Sequence, residues 1–286
     1  MRAARPQTLP AGITPVLVGT GVAAGAGRFD GPVFAAAFAG ALLIQIGANY
    51  ANDLFDFQKG ADRTDRLGPP RATATGLVTQ GQIAAATVIA FALALVPGAF
   101  LLSVGGLPVI AVGIASMVAA LTYVGGPWPY GYHGLGDPVC FLFFGLVPVA
   151  TLAYLSTGAV TPAALLAAVP VGCLITAILA VNNYRDLEQD RAAGKRTVAV
   201  IIGPRATRAE YALLLAVAYA VPLIGALAGL WSPAGLLPWL TAPLARRLIA
   251  RVNTTVGRPL NLALRDTARL QLLFGALFTV GIALPR

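Results

Sequence analysis

Seven of the eleven acidic residues in this 286-residue chain fall in two short stretches, 49–65 and 182–197, each closing a long apolar run. Within them Asn52 and Asp56 stand four residues apart, as do Asp186 and Asp190, so on helices each pair projects from one face. Carboxylates and an amide oxygen are hard donors that suit Mg²⁺, which completes its octahedron with water and phosphate oxygens. Zn²⁺ is a poor match, because one histidine and two cysteines inside apolar runs cannot supply its usual ligands. Lys59, Arg63, Arg71, Arg185, Lys195 and Arg196 surround the acids, and acids beside a larger number of bases suit a polyanion such as diphosphate held between metal and cations. Carboxylates at bilayer depth are costly and ordinarily functional, which singles out Asp56, Asp186 and Asp190. Taken singly, the arginines fit equally well the gathering of basic side chains at cytoplasmic helix ends. Asp53 is turned about 100° from Asn52 on a helix and ranks below it; Asp65 reads as a loop residue.

The elements that carry these residues are set by composition. With 57% hydrophobic and 11% charged residues and a mean hydropathy of +0.77, the chain lies far from soluble domains, which carry about 25% charged residues. Apolar runs near 10–27, 32–54, 82–103, 106–124, 138–156, 162–183, 209–230, 234–250 and 267–284 are each about long enough to cross a 30 Å hydrocarbon core. They predict an all-α, polytopic membrane protein: a bundle of nine transmembrane helices in one domain over 1–286. The second and sixth spans run in the same direction and both end in an acidic stretch, which suggests a parallel repeat of spans 1–4 and 5–8 plus a ninth. The net charge of +9 is explained by topology rather than by nucleic acid. Nearly all basic residues fall on the side of the N-terminus, with Arg28 and Arg286 opposite, so the N-terminus and both acidic stretches are expected to be cytoplasmic.

The first apolar run feeds directly into a second and is expected to be a retained helix rather than a secretory signal. Cys140 and Cys173 read as small apolar core residues. The loops after the second and sixth spans are long and polar enough to fold over the mouth of the bundle, and Gly194 and Gly203-Pro204 argue against an uninterrupted helix in the latter. The loop 123–137 is rich in aromatics and holds His133, the one histidine, and Asp137. Both are candidates for orienting or deprotonating an acceptor hydroxyl, whereas Trp128, Tyr130 and Tyr132 fit a proline-rich interfacial turn as well as a pocket wall.

Asn52-Asp-Leu-Phe-Asp56 followed by Asp62, and Asp186-Leu-Glu-Gln-Asp190 followed by Gly194-Lys-Arg-Thr197, resemble the two aspartate-rich motifs of the UbiA superfamily of intramembrane aromatic prenyltransferases. Further stretches, among them Asp56-Phe-Gln-Lys-Gly-Ala-Asp62, Tyr132-His-Gly-Leu-Gly-Asp137 and Asn182-Asn-Tyr-Arg-Asp186, are similar to the branch of that family that prenylates 1,4-dihydroxy-2-naphthoate in menaquinone synthesis. The resemblance covers essentially the whole chain and implies nine transmembrane helices. It also implies Mg²⁺-dependent transfer of a polyprenyl group from polyprenyl diphosphate to 1,4-dihydroxy-2-naphthoate, with loss of the carboxylate. By the same resemblance Asn52, Asp56, Asp186 and Asp190 hold Mg²⁺ with a contribution from Asp62, while Lys59, Arg63, Lys195 and Arg185 balance the departing diphosphate. The family pattern has a further acid where this chain has Gly60, and Asp62 is the nearest substitute. Related acceptors such as 4-hydroxybenzoate share the metal site, so the acceptor rests on the stretches after Lys59 and Tyr132. A secondary transporter fits less well, because its charges usually sit near the midplane on broken helices of inverted repeats.

Overall fold

The computed structural model describes residues 5, 8–60 and 66–285, and every regular element among them is helical. The helices are α1 (Leu9–Gly25), α2 (Gly31–Gln58), α3 (Gln80–Gly105), α4 (Leu107–Thr122), α5 (Gly136–Phe141), α6 (Val147–Thr157), α7 (Pro162–Arg185), α8 (Leu187–Ala192), α9 (Val198–Leu227), α10 (Ala242–Thr254) and α11 (Leu260–Ala283). Among the described residues α2, α3, the continuous run Gly136–Thr157, α7 and α9 are long and apolar enough to cross a bilayer, and α1 and α4 are shorter apolar helices.

Each of the nine expected spans falls on a rod of the structure, with three differences of physical interest. The fifth is α5 and α6 joined through a π-helical turn at Leu142–Leu146. The seventh starts at Val198, well before the expected 209, because Thr197 caps it by accepting the Val200 amide at 3.4 Å. The predicted break is present inside α9, where Gly203 takes φ +79°, a conformation that favours glycine. The eighth is a 3₁₀ segment, Pro233–Thr241, leading into α10, since Pro233 and Pro238 each remove an amide donor.

Local signals start the other rods. Thr79 and Gln82 form a reciprocal capping box at α3, and Asp30 and Thr161 accept amides at the first turns of α2 and α7. The central rod is α7, which packs against α1, α5, α6, α9 and α11. It approaches the π-helical turn closely: a Cβ on Gly145 would stand 2.5 Å from the Gly172 Cα. Such glycine contacts let helices meet backbone to backbone where lipid offers no hydrophobic drive to association. Buried Phe274 and Phe278 of α11 and Tyr211 of α9 complete the core on the other side of α7.

The C-terminal ends of α2 and α7 and the N-terminal end of α11 meet at one end of the bundle. The first acidic stretch leads into a loop that folds back over that end. Asp53 accepts the Ala72 and Thr73 amides at 3.1 and 3.3 Å, and the Asn261 side chain donates to the Leu67 carbonyl at 2.9 Å. Asp53 is therefore an anchor for the cap loop, in keeping with its turn away from Asn52. A second clasp joins the remaining loops, where the Arg196 amide donates to the Tyr132 carbonyl at 2.9 Å.

Candidate active site

At the capped end lies a polar cavity of about 270 Å³, lined by Asn52 and Asp56 of α2, by Asp186 and Asp190 at α8, and by Arg71 and Lys195. Helical spacing on α2 and the short helix after α7 thus bring four of the five expected metal ligands to one space. Asp62 and Arg63, the remaining members of the first stretch, lie outside the described residues. Asp56 is 4% exposed and densely partnered. It forms an ion pair with buried Arg71, accepts from the Tyr132 hydroxyl at 3.3 Å and stands 3.6 Å from the Lys195 ammonium. Lys195 also lies 3.9 Å from Asp190 and so bridges the two acidic stretches.

Tyr132 sits between the two lysines. Lys195 Nζ lies 4.6 Å from its ring centroid and Lys59 Nζ 5.0 Å, within reach of a cation–π attraction. Lys59 also donates to the Val124 carbonyl at 2.6 Å. Its ammonium is pushed below the usual lysine range by desolvation, with Asp56 opposing and Lys195 adding to the shift. Burial raises the Asp190 carboxyl to about 6; Lys195 works against this rise, Asp186 and Asp56 with it, and Arg185 against it.

Arg185 ends α7 and is itself buried. It chelates Asp186 through Nε and Nη2 at 2.8 and 2.5 Å, and it reaches Asn182 at 2.9 Å and Asn261 at 2.7 Å. Its role in this structure is to hold Asp186 in position, since it does not line the cavity. Four other expected site residues also stand outside the lining. Lys59 is exposed at the end of α2. Arg196 is exposed and joins the site only through its backbone. His133 is stacked on Trp128 with ring centroids 4.5 Å apart, and its Nδ1 lies 2.9 Å from the Pro129 carbonyl. Asp137 is buried behind the wall, where Asn183 donates to it at 3.5 Å.

Sequence reasoning missed Gln45 and Asn49, which line the same cavity. Their spacing held the signal: Gln45, Asn49, Asn52 and Asp56 follow one another at intervals of four, three and four, a single polar stripe on α2. It also missed Glu210, whose carboxylate lies beside Asp137, and Asn261; neither belongs to an acidic stretch.

A second cavity of about 580 Å³ adjoins the first and is apolar, walled by residues such as Ile44, Leu95, Met117, Val139, Phe143 and Leu152. Gln45, Asn49, Asn52, Tyr123 and Phe144 line both spaces and form the junction. Asn52 Oδ1 is buried there with no hydrogen-bond partner among the described residues. Among the described residues no three acidic, imidazole or thiol groups converge closely enough to enclose a metal by themselves. The hard donors are instead presented in pairs, which leaves most of a coordination sphere to water and substrate oxygens, as Mg²⁺ prefers. The donor chemistry fits that ion.

A multi-pass helical membrane protein with an acid- and base-lined cavity opening into an apolar one is built to hold an amphiphile by its charged head. The chain belongs to the UbiA prenyltransferase family, whose model matches residues 12–282. It is 39% identical over 279 residues to a 1,4-dihydroxy-2-naphthoate octaprenyltransferase of Mycobacterium tuberculosis (strain ATCC 25618 / H37Rv), covering 97% of this chain and 94% of that one. A 1,4-dihydroxy-2-naphthoate octaprenyltransferase of Escherichia coli (strain K12) is 37% identical over 295 residues, with 99% and 94% covered. Among solved structures, a UbiA homolog from Archaeoglobus fulgidus bound to DMAPP and Mg²⁺ shares the fold with a TM-score of 0.67 at 18% identity, covering 99% of this chain and 98% of that one.

Proposed function

We propose that this protein transfers a polyprenyl group from polyprenyl diphosphate to a ring carbon of 1,4-dihydroxy-2-naphthoate, with loss of the carboxylate as carbon dioxide, giving demethylmenaquinol and diphosphate. The observation that carries the reading is the junction of the two cavities, which matches a substrate with a polyanionic head and a long hydrocarbon tail. The acceptor assignment is supported by the likeness to curated naphthoate prenyltransferases over nearly the full length.

The residues divide the work. Asn52, Asp56, Asp186 and Asp190, with Asp62, would hold Mg²⁺, which would supply positive charge to the departing diphosphate. Lys195 and Lys59 add fixed cations on the same side, so that charge developing on the leaving group meets groups already in place. Arg71 and Arg185 hold Asp56 and Asp186 in the orientation that presents their oxygens to the cavity. Breaking the carbon–oxygen bond leaves an allylic cation, and the apolar walls beyond Asn52 keep water from it. The Tyr123 ring at the junction offers a π-face to that cation. The aromatic ring of the acceptor then gives its electron pair to the allylic carbon, and the carbon–carboxylate bond breaks to restore aromaticity.

The protein resides in the cytoplasmic membrane with the N-terminus and the capped mouth facing the cytoplasm, an orientation that rests on the distribution of arginine and lysine. Spans 1–4 and 5–8 form a parallel repeat within one domain. The test is an assay of purified protein with Mg²⁺, polyprenyl diphosphate and either 1,4-dihydroxy-2-naphthoate or 4-hydroxybenzoate, following product mass. Decarboxylated product from the naphthoate alone is expected, with Asp56→Ala and Asp190→Ala each reduced at least about a hundredfold in kcat. Product from the benzoate alone would overturn the acceptor, and activity in both variants would overturn the site.

A further inference from the structure

Apart from the active-site cavities, α9 and α10 leave a groove of about 450 Å³ between them, walled by Leu215, Tyr219, Ala245 and Ile249 and flanked by Arg246 and Asn253. The helices are pinned at both ends of the groove. The Tyr219 hydroxyl meets the Thr241 hydroxyl at 2.5 Å, and Arg208 donates to the Asn253 carbonyl at 2.9 Å. Between these pins the groove is apolar and faces outward, where a membrane protein meets acyl chains. Arg246 interrupts it seven residues before Asn253, about 10 Å along the helix axis at 1.5 Å per residue.

Arg246 is exposed and has no hydrogen-bond or ion-pair partner among the described residues, and the same is true of its neighbour Arg247. The other arginines of this surface differ: Arg251, Arg265 and Arg269 all share the Asp266 carboxylate. No acid on either helix faces the groove. Glu210 is the only acid of α9, and its carboxylate lies beside Asp137 of α5; α10 has none. An exposed, unpaired guanidinium beside an apolar groove on a membrane protein leaves its charge free for a ligand while its stem covers apolar surface. It matches a ligand that brings a hydrocarbon chain and a phosphate together.

We propose that the groove between α9 and α10 binds one anionic phospholipid, its acyl chain along Ala216, Ala242 and Ile249 above the floor of Leu215 and Tyr219, and its phosphate on Arg246. The site is independent of the catalytic reading, since none of its residues lines either active-site cavity. Native mass spectrometry of the full-length protein in detergent, mixed with phosphatidylglycerol or phosphatidylcholine of identical chains, tests it by counting retained lipid. One phosphatidylglycerol is expected to be retained at concentrations where phosphatidylcholine is not. Arg246→Gln should weaken retention about fivefold, the worth of one arginine at an anionic headgroup. Ala216→Phe, which fills the groove from an exposed position, should abolish it without touching any charge, while Arg269→Gln should leave it unchanged. Circular dichroism establishes that each variant is folded. Equal retention of both lipids, retention by Ala216→Phe at the wild-type level, displacement by soluble glycerol phosphate, or an equal loss in Arg269→Gln would each overturn the site.

Discussion

Tyr132 and Asp190 illustrate two kinds of control at the residue scale. Tyr132 touches both acidic stretches, through its hydroxyl on Asp56 and its ring beneath Lys195 and Lys59. Tyr132→Phe keeps the ring and loses one hydrogen bond to a charged group, so a drop in kcat/KM of about tenfold is expected. Tyr132→Leu frees both lysines as well and should fall further, with a larger rise in KM for the diphosphate donor; equal losses in the two variants would remove the ring from the argument. For Asp190 the direction of the pH effect follows from burial. Its folded-state pKa of about 6 lies above the unfolded value of about 3.9, so between those values the folded chain binds more protons than the unfolded one. In metal-free protein this group therefore costs stability as pH rises from about 4 to about 6, and the cost is constant above. Asp190→Asn lacks the penalty. Melting in detergent with chelator at pH about 4.5 and about 6.5 should show the variant gaining on wild type at the higher value; the opposite trend would mean that Lys195 outweighs burial.

At the element scale the long apolar runs and their caps were legible in the sequence, because a 20-residue hydrophobic stretch has few structural alternatives. The α2 stripe from Gln45 to Asp56 is legible too, in its spacing of four, three and four residues. What periodicity could not give was pairing across elements. Nothing in the sequence tells that Asn261, 76 residues after Arg185, would take its guanidinium, or that Glu210 would meet Asp137. His133 stands out in the sequence by its chemistry alone, and its stacking on Trp128 reflects an apolar face that functional-group type does not reveal. The π-helical turn was equally invisible, since it answers a tertiary demand: Gly145 and Gly172 must come together where α7 passes the fifth rod. A methyl group at Gly145 would stand 2.5 Å from the Gly172 Cα and 2.7 Å from its nitrogen, backbone atoms with little room to yield. Gly145→Ala is thus expected to destabilise by about 1–3 kcal/mol, seen as a lower melting temperature in detergent. Gly98→Ala, whose added carbon meets nothing within 4 Å, is the matched control and should melt as wild type.

On the scale of the whole molecule, charge and hydrocarbon are handled in separate compartments that share one wall. The polar cavity depends on the acidic ends of α2 and α7, whereas the apolar cavity depends on α1 to α6, with Gly98 of α3 and Gly113 of α4 among its lining residues. A carbon added at either glycine meets no neighbour within 4 Å, so a large side chain there takes volume from the cavity and disturbs no packed contact. If the donor's tail occupies this space, Gly113→Phe must discriminate by chain length and must spare the head. Displacing only two methylene groups from apolar surroundings costs about 1.6 kcal/mol at 0.8 kcal/mol each, roughly a fifteenfold loss in kcat/KM. Long polyprenyl diphosphates should therefore lose at least that much, while dimethylallyl diphosphate, too short to reach Gly113, which lies ten residues before Tyr123 and so about 15 Å along the helix, should react as in wild type. The Mg²⁺ concentration giving half-maximal rate should not move, because Gly113 does not line the polar cavity. An equal loss for short and long donors would mean that the two compartments are not independent and that the tail leaves the junction by another route.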